Sequence, residues 1–161
     1  MALTRDKAKG RRTSGAFVPF PCSVMNHQNF TNLTPLALKL FIDVCSYLRF
    51  KQGGTVNNGD LAITWELLKL RGWTSKASID RAKNELLYYG FIVITRHGMR
   101  LRHMPTLYAL TFFGIDECNG KVQEQKPCVA PLNTWQKVKD KYQIPKKKPA
   151  NKKFTPQLVN A

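Results

Sequence analysis

The sequence predicts a mainly α chain with a small β-hairpin: a three-helix core, a wing, and disordered basic tails. Three observations carry this. Apolar residues recur at helical spacing behind a Thr-Pro cap in the first third of the chain. The segment Thr74 to Phe113 reads as a short capped helix, stopped by a glycine and followed at once by an extended hairpin with a basic tip. Most of the formal net charge of +16 lies outside both, near the two ends.

At 161 residues the chain suits one ordinary domain. Its 43% hydrophobic and 22% charged residues fit a globular core. No apolar run approaches the ~20 residues of a membrane span. Arg5, Lys7, Lys9, Arg11 and Arg12 are not followed by a signal-peptide core. The expectation is a cytoplasmic protein with no membrane partner. Cys22, Cys45, Cys118 and Cys128 form no C-x-x-C pair, so reduced thiols are expected. Residues 1–15 carry +4, residues 137–161 carry +7 and residues 16–136 carry +5. The domain reading is therefore a basic arm (1–15), a body (16–121), a linker (122–136) and a lysine-rich flexible tail (137–161). The tail has too little apolar content to fold alone.

Along the body, residues 16–32 are apolar but broken by Pro19 and Pro21, which predicts an extended arm. Thr34 caps a first helix with Pro35 in its first position, and Leu36, Leu40, Phe41, Val44 and Leu48 continue it through Phe50. Lys39, Asp43 and Arg49 read as its solvated face. Gly53-Gly54 stops it. Thr55-Val56-Asn57 suffices for a short strand and Asn58-Gly59 for a turn. A second helix is expected from Asp60–Ala62 to Arg71, closed by Gly72. Ser75 caps the third helix, and Gly90 is its left-handed stop. Strands are expected at Phe91–Thr95 and Thr106–Phe113. Helix, short strand, helix, helix, hairpin is the order of the winged helix-turn-helix.

The third helix puts Ile79, Ala82 and Leu86 inward, with Leu87 beside them. Ala77, Arg81, Asn84 and Tyr88 then face outward, with Ser75, Lys76, Asp80 and Lys83 around them. Small Ala77 allows close approach to a groove. Arg and Asn are the types that read guanine and adenine edges with two hydrogen bonds. In the hairpin, Arg96, His97, Arg100, Arg102 and His103 stand without one acidic residue between them, a composition suited to a phosphate track or minor groove. In the tail, Lys137, Lys139, Lys141, Lys146, Lys147, Lys148, Lys152 and Lys153 can each displace a counterion from DNA. Trp135 reads as a staple that returns the tail to the body.

The runs N-N-G-D-L (57–61), R-G-W-T-S-K (71–76), E-L-L-Y-Y-G-F-I (85–92), T-R-H-G (95–98) and L-Y-A-L-T-F (107–112) are distinctive together. So are I-D-E-C-N-G-K (115–121) and A-P-x-x-W (130–135). From Leu33 to about Thr134 the chain resembles the small winged-helix proteins of prophages, plasmids and integrative elements. Related domains sit in replication initiators and replisome organisers. The resemblance implies a DNA-binding protein acting in transcription regulation or replication initiation. It names no target sequence, and the lysine-rich tail lies outside it.

Enzyme readings lack a foothold. The sequence has no phosphate loop G-x-x-x-x-G-K-[ST], no H-E-x-x-H and no G-x-S-x-G. Cys118 and Cys128 with His97 or His103 match no usual zinc spacing. No cofactor and no metal are expected. The expected partners are double-stranded DNA and replication or host nucleic-acid-processing proteins. No heptad announces a dimer, so the oligomeric state stays open. The rival reading is a protein-interaction module that inhibits or adapts a host nucleic-acid machine, such as a defence complex. Tyr88, Tyr89, Trp65 and Trp135 would be its anchors.

Overall fold

The computed structural model describes residues 17–51 and 54–145. The basic arm at 1–15, Gly53, and Lys146, Lys147, Lys148, Lys152 and Lys153 lie outside the described residues. In chain order the described elements are α1 (Cys22–Met25), α2 (Gln28–Thr31), α3 (Pro35–Cys45), β1 (Phe50–Lys51), β2 (Gly54–Thr55), β3 (Leu61–Ala62), α4 (Trp65–Lys69), α5 (Lys76–Tyr89), β4 (Ile92–Arg96) and β5 (Leu107–Leu110). Short 3-10 turns occur at Arg100–Arg102, Cys118–Gly120 and Thr134–Gln136.

This corrects the expected fold class. The described chain is 37% helical and 15% strand, with five helices and two small antiparallel sheets. It is an α/β fold rather than a mainly α one with a small hairpin. The expected hairpin does not stand alone: β5 is the centre of a three-stranded sheet in the order β3-β5-β4, and β1 and β2 form a second sheet. Leu61 pairs with Tyr108 and Ala62 with Leu107, so two of the three residues at which the second helix was expected to begin, Asp60 to Ala62, belong to the sheet instead. Thr64 then caps the shortened α4 by accepting from the Leu67 amide.

Two other expectations change for local reasons. α3 stops at Cys45 instead of Phe50. Beyond it, the Asn57 side chain donates to the Tyr47 carbonyl (3.0 Å) and accepts from the Arg49 amide (2.7 Å), drawing that backbone out of helical pairing. The arm before Leu33 is not extended throughout, since it folds into α1 and α2. His27 caps α2, its Nδ1 accepting from the Asn29 amide at 3.2 Å.

α3 and α5 pack across the main core. Phe20, Phe30, Phe41, Phe91 and Phe112 form one aromatic cluster, with contacting ring centroids 5.4–5.9 Å apart. Tilted and edge-on pairs of this kind add to simple burial. Glu85, buried on α5, ties the two helices together at the start of α3. Its carboxylate accepts from the Thr34 amide and the Thr34 hydroxyl, both at 2.7 Å. Asp43 is buried rather than solvated. It accepts from Lys39 Nζ (2.8 Å), Arg71 Nε (2.7 Å) and Trp73 Nε1 (2.7 Å). Burial alone would raise its pKa, but the hydrogen bonds from Lys39, Trp73 and Arg71 outweigh it and hold the carboxyl below its ordinary range.

Asn58 fixes the sheet to the turn before β3. Fully buried, it donates through Nδ2 to the carbonyls of Leu110 (2.9 Å) and Gly114 (2.7 Å) and accepts from the Leu110 amide (2.7 Å). Thr95 sits at a register shift in β4, and its hydroxyl donates to the Gly59 carbonyl at 2.6 Å. The freed Thr95 carbonyl accepts from the amides of Gln123 and Glu124. Residues 122–136, expected as a linker, are therefore bound to the body.

The start of the expected flexible tail is bound as well. Asn29, fully buried, donates to the carbonyls of Trp135 and Lys137 (both 2.8 Å) and accepts from the Lys139 amide (3.0 Å). Because His27 Nδ1 accepts, its Nε2 carries the proton and donates to the Gln136 carbonyl at 3.1 Å. Trp135 is buried with the His27 ring edge-on to it at 5.1 Å, a staple as expected. The Tyr142 amide donates to the Tyr89 hydroxyl at 2.9 Å. Gly90, left-handed at φ 76°, lies so close beneath this strap that a Cβ would meet the Thr134 carbonyl at 2.9 Å.

Candidate nucleic-acid interface

α5 is built to present one face. Ser75 caps it by accepting from the Ser78 amide, and Gly90 ends it, its amide and the next satisfying carbonyls of the last turn. Ile79, Ala82, Glu85, Leu86 and Tyr89 are buried. Lys76, Ala77, Asp80, Arg81 and Asn84 are exposed. The Arg81 Nε donates to the Ala77 carbonyl at 3.3 Å, which lays the guanidinium along the helix. Lys76 Nζ stands 5.6 Å from the centre of the Trp65 ring.

Three members of the expected set sit differently. Lys83 Nζ pairs with Asp80 Oδ1 at 2.6 Å, so this lysine and this acid largely cancel on the face. Asp80 also lies near β5, where the Tyr108 phenol is pushed up by burial and further by the Asp80 carboxylate, against a lowering hydrogen bond with Thr106. Tyr88 is half-buried rather than free. Its ring packs against Tyr142 at 5.2 Å between centroids, its carbonyl accepts from Lys139 Nζ, and that ammonium stands 5.1 Å from its ring centre. Lys139 is thus engaged with the body, while Lys137 and Lys141 are exposed.

In the hairpin, His97, Arg102 and His103 are exposed. Arg96 is not: at 7% exposure it fills the hairpin base. One of its terminal nitrogens donates to the Pro105 carbonyl at 3.3 Å, and its buried Nε has no partner. No acidic side chain pairs with it among the described residues. Its charge therefore adds to the field of the loop without offering contacts. Arg100 belongs to the 3-10 turn at the tip.

Burial also thins the rival set of protein anchors. Tyr89 and Trp135 are core residues, and Trp65 and Tyr88 are half-buried. Cys45, pushed up to about 12 by burial, and Cys118, pushed up to about 11 by burial and then by Asp116, carry little thiolate at neutral pH. Among the described residues no cluster of three or more His, Cys, Asp or Glu could hold a metal ion. No described helix is long and apolar enough to cross a membrane.

Sequence reasoning expected the Trp135 staple but missed its clamp at Asn29. The signal was present as H-Q-N-F (27–30), but a buried asparagine reads like any polar loop residue until its partners are known. Comparison with protein-family models, with curated proteins and with solved structures gave no match.

Proposed function

We propose that this chain is a double-stranded DNA-binding protein of a mobile genetic element, acting in transcription regulation or replication initiation in the cytoplasm. It is a binding protein rather than an enzyme. The exposed face of α5, with Lys76, Ala77, Arg81 and Asn84, enters the major groove. The hairpin tip, with His97, Arg100, Arg102 and His103, follows the backbone or the minor groove. Lys137, Lys141 and the lysines from Lys146 onward neutralise phosphates further along. The resemblance of residues 33–134 to proteins of prophages, plasmids and integrative elements supports the same reading.

One observation carries the proposal: an exposed helix face bearing Arg81 and Asn84 runs directly, through Gly90, into a hairpin whose loop has no acid from His97 to Thr106. Helix dipoles and tails alone would hold DNA without reading it. On this reading Arg81 is the residue that reads a base. Selection of bound duplexes from a randomised pool tests this. Arg81→Ala should lose about 1–3 kcal/mol of discrimination at one base position and little elsewhere. An equal loss on every sequence would reduce Arg81 to a phosphate contact, and a wild-type pool with no preferred sequence would remove base reading altogether.

A further inference from the structure

The hairpin tip carries an apolar side chain that the fold does not use. Leu101 is 98% exposed, and Met99 at the foot of the same turn is 43% exposed. An exposed leucine alone is ordinary on a protein surface. Its setting is not ordinary. Met99 and Met104 exchange reciprocal backbone hydrogen bonds of 3.0 and 3.1 Å, and the Arg102 amide donates to the Met99 carbonyl at 3.1 Å. His103 turns the chain back in the left-handed region at φ 51°. Below it, the Gly98 amide donates to the Thr106 hydroxyl at 3.0 Å. A Cβ on Gly98 would stand 2.8 Å from the Thr106 nitrogen, so only glycine fits this close approach.

These bonds close a short loop with Leu101 in the middle residue of its 3-10 turn. Arg100 and Arg102 flank it in sequence, the Arg96 charge lies beneath, and His97 and His103 border it. The surface that suits an exposed apolar residue set between two arginines in the chain is anionic outside and apolar within. Duplex DNA has this form once two base pairs part at a step. An exposed leucine on a flexible, uncharged loop would have no such preference.

We propose that Leu101 is a wedge. Resting on the DNA-binding reading above, the inference is that the hairpin tip enters the minor groove and inserts Leu101 between adjacent base pairs. The duplex then bends by about 20–90° towards the major groove. Steps that unstack easily, TA and CA/TG, are the preferred places, so the tip adds selectivity at positions where it makes no base hydrogen bond. Bending would be a second activity of the protein beside sequence reading by α5.

A duplex of about 25 base pairs with a central TA step, and dyes at both ends, separates the two claims. Anisotropy follows binding while energy transfer between the ends follows bending. The wild-type chain should bind and raise the transfer. Leu101→Gln should bind about tenfold more weakly, equivalent to about 1.4 kcal/mol, with the transfer left at its free-duplex value. Leu101→Phe should keep the bend. Because Leu101 packs on nothing in the fold, neither variant should move the thermal midpoint, which excludes misfolding as the cause. Binding without bending, or a bend that Leu101→Gln leaves intact, overturns the wedge while DNA binding stands and leaves Leu101 as an anchor for a protein. Absence of any anisotropy change with wild type overturns both claims.

Discussion

Replacing Asn58 by leucine should be among the most damaging single changes in this fold. The volume is nearly kept, so no large cavity opens and the loss is one of hydrogen bonding. Three backbone groups lose their side-chain partner together: the buried Leu110 amide and carbonyl and the part-buried Gly114 carbonyl. Each buried polar group left unpaired costs about 1–3 kcal/mol. Carbonyls tolerate the loss better than an amide does, so the sum should fall near 3–5 kcal/mol rather than at the upper limit. With a urea slope of about 2 kcal/mol per molar, the unfolding midpoint should drop by roughly 2 M. Urea unfolding followed by far-UV circular dichroism measures it directly. Asn84→Leu, on the exposed face of α5, is the matched control and should stay within about 0.5 kcal/mol of wild type. A loss below about 1 kcal/mol for Asn58→Leu would refute the claim that this side chain holds the sheet to the turn before β3.

Other consequences follow from the same contacts. Asp43 has a depressed pKa in the folded chain, so its contribution is full above its unfolded value near 3.8 and is lost as pH falls through the lower folded value. Asp43→Asn should therefore lower stability at neutral pH and flatten the acid limb of a stability–pH profile. An acid limb unchanged in the variant would contradict the assignment. Asp43→Ala leaves the buried Trp73 N–H alone without a partner, since Lys39 and Arg71 are exposed enough to regain water, and should cost about 1–3 kcal/mol in chemical unfolding. Asn29→Ala removes three bonds to residues 135–139 and should release the strap, shifting Trp135 fluorescence to the red and opening a protease-sensitive site after residue 130. Unchanged fluorescence would mean that the Trp135 ring holds the strap unaided.

What was legible in the sequence followed from local chemistry. Ser75, the spacing of Ile79, Ala82 and Leu86, and Gly90 define α5 without reference to anything distant, and its bounds agree with the expected helix. Thr34-Pro35 marks the start of α3 for the same reason. What failed depended on partners far along the chain. Leu61-Ala62 becomes a strand only because β5 offers an edge some forty-six residues later, and this turned an expected helix start into part of a sheet. Asp43 looks solvated by helical spacing, and its burial rests on the distant Arg71 and Trp73 as well as on Lys39. The candidate site divides the same way. The exposed positions of Lys76, Arg81 and Asn84 follow from helix periodicity. The withdrawal of Tyr88 into contact with Tyr142, and of Arg96 into the hairpin base, follows from tertiary contacts with no local signal. A polar composition after residue 121 suggested a linker, yet the backbone hydrogen bonds of Thr95 and Thr111 bind that segment down.

Binding of the full chain to mixed-sequence duplex DNA, by fluorescence anisotropy across about 50–200 mM salt, tests the central claim most directly. The account predicts binding at low salt that weakens linearly in a plot of log affinity against log salt. Changing Lys146, Lys147, Lys148, Lys152 and Lys153 together to Gln should reduce the magnitude of that slope by about 4–5, at roughly 0.9 per phosphate contact, while leaving the sequence preference set by Arg81 in place. No measurable binding at the lowest salt, despite a net charge of +16, would contradict it.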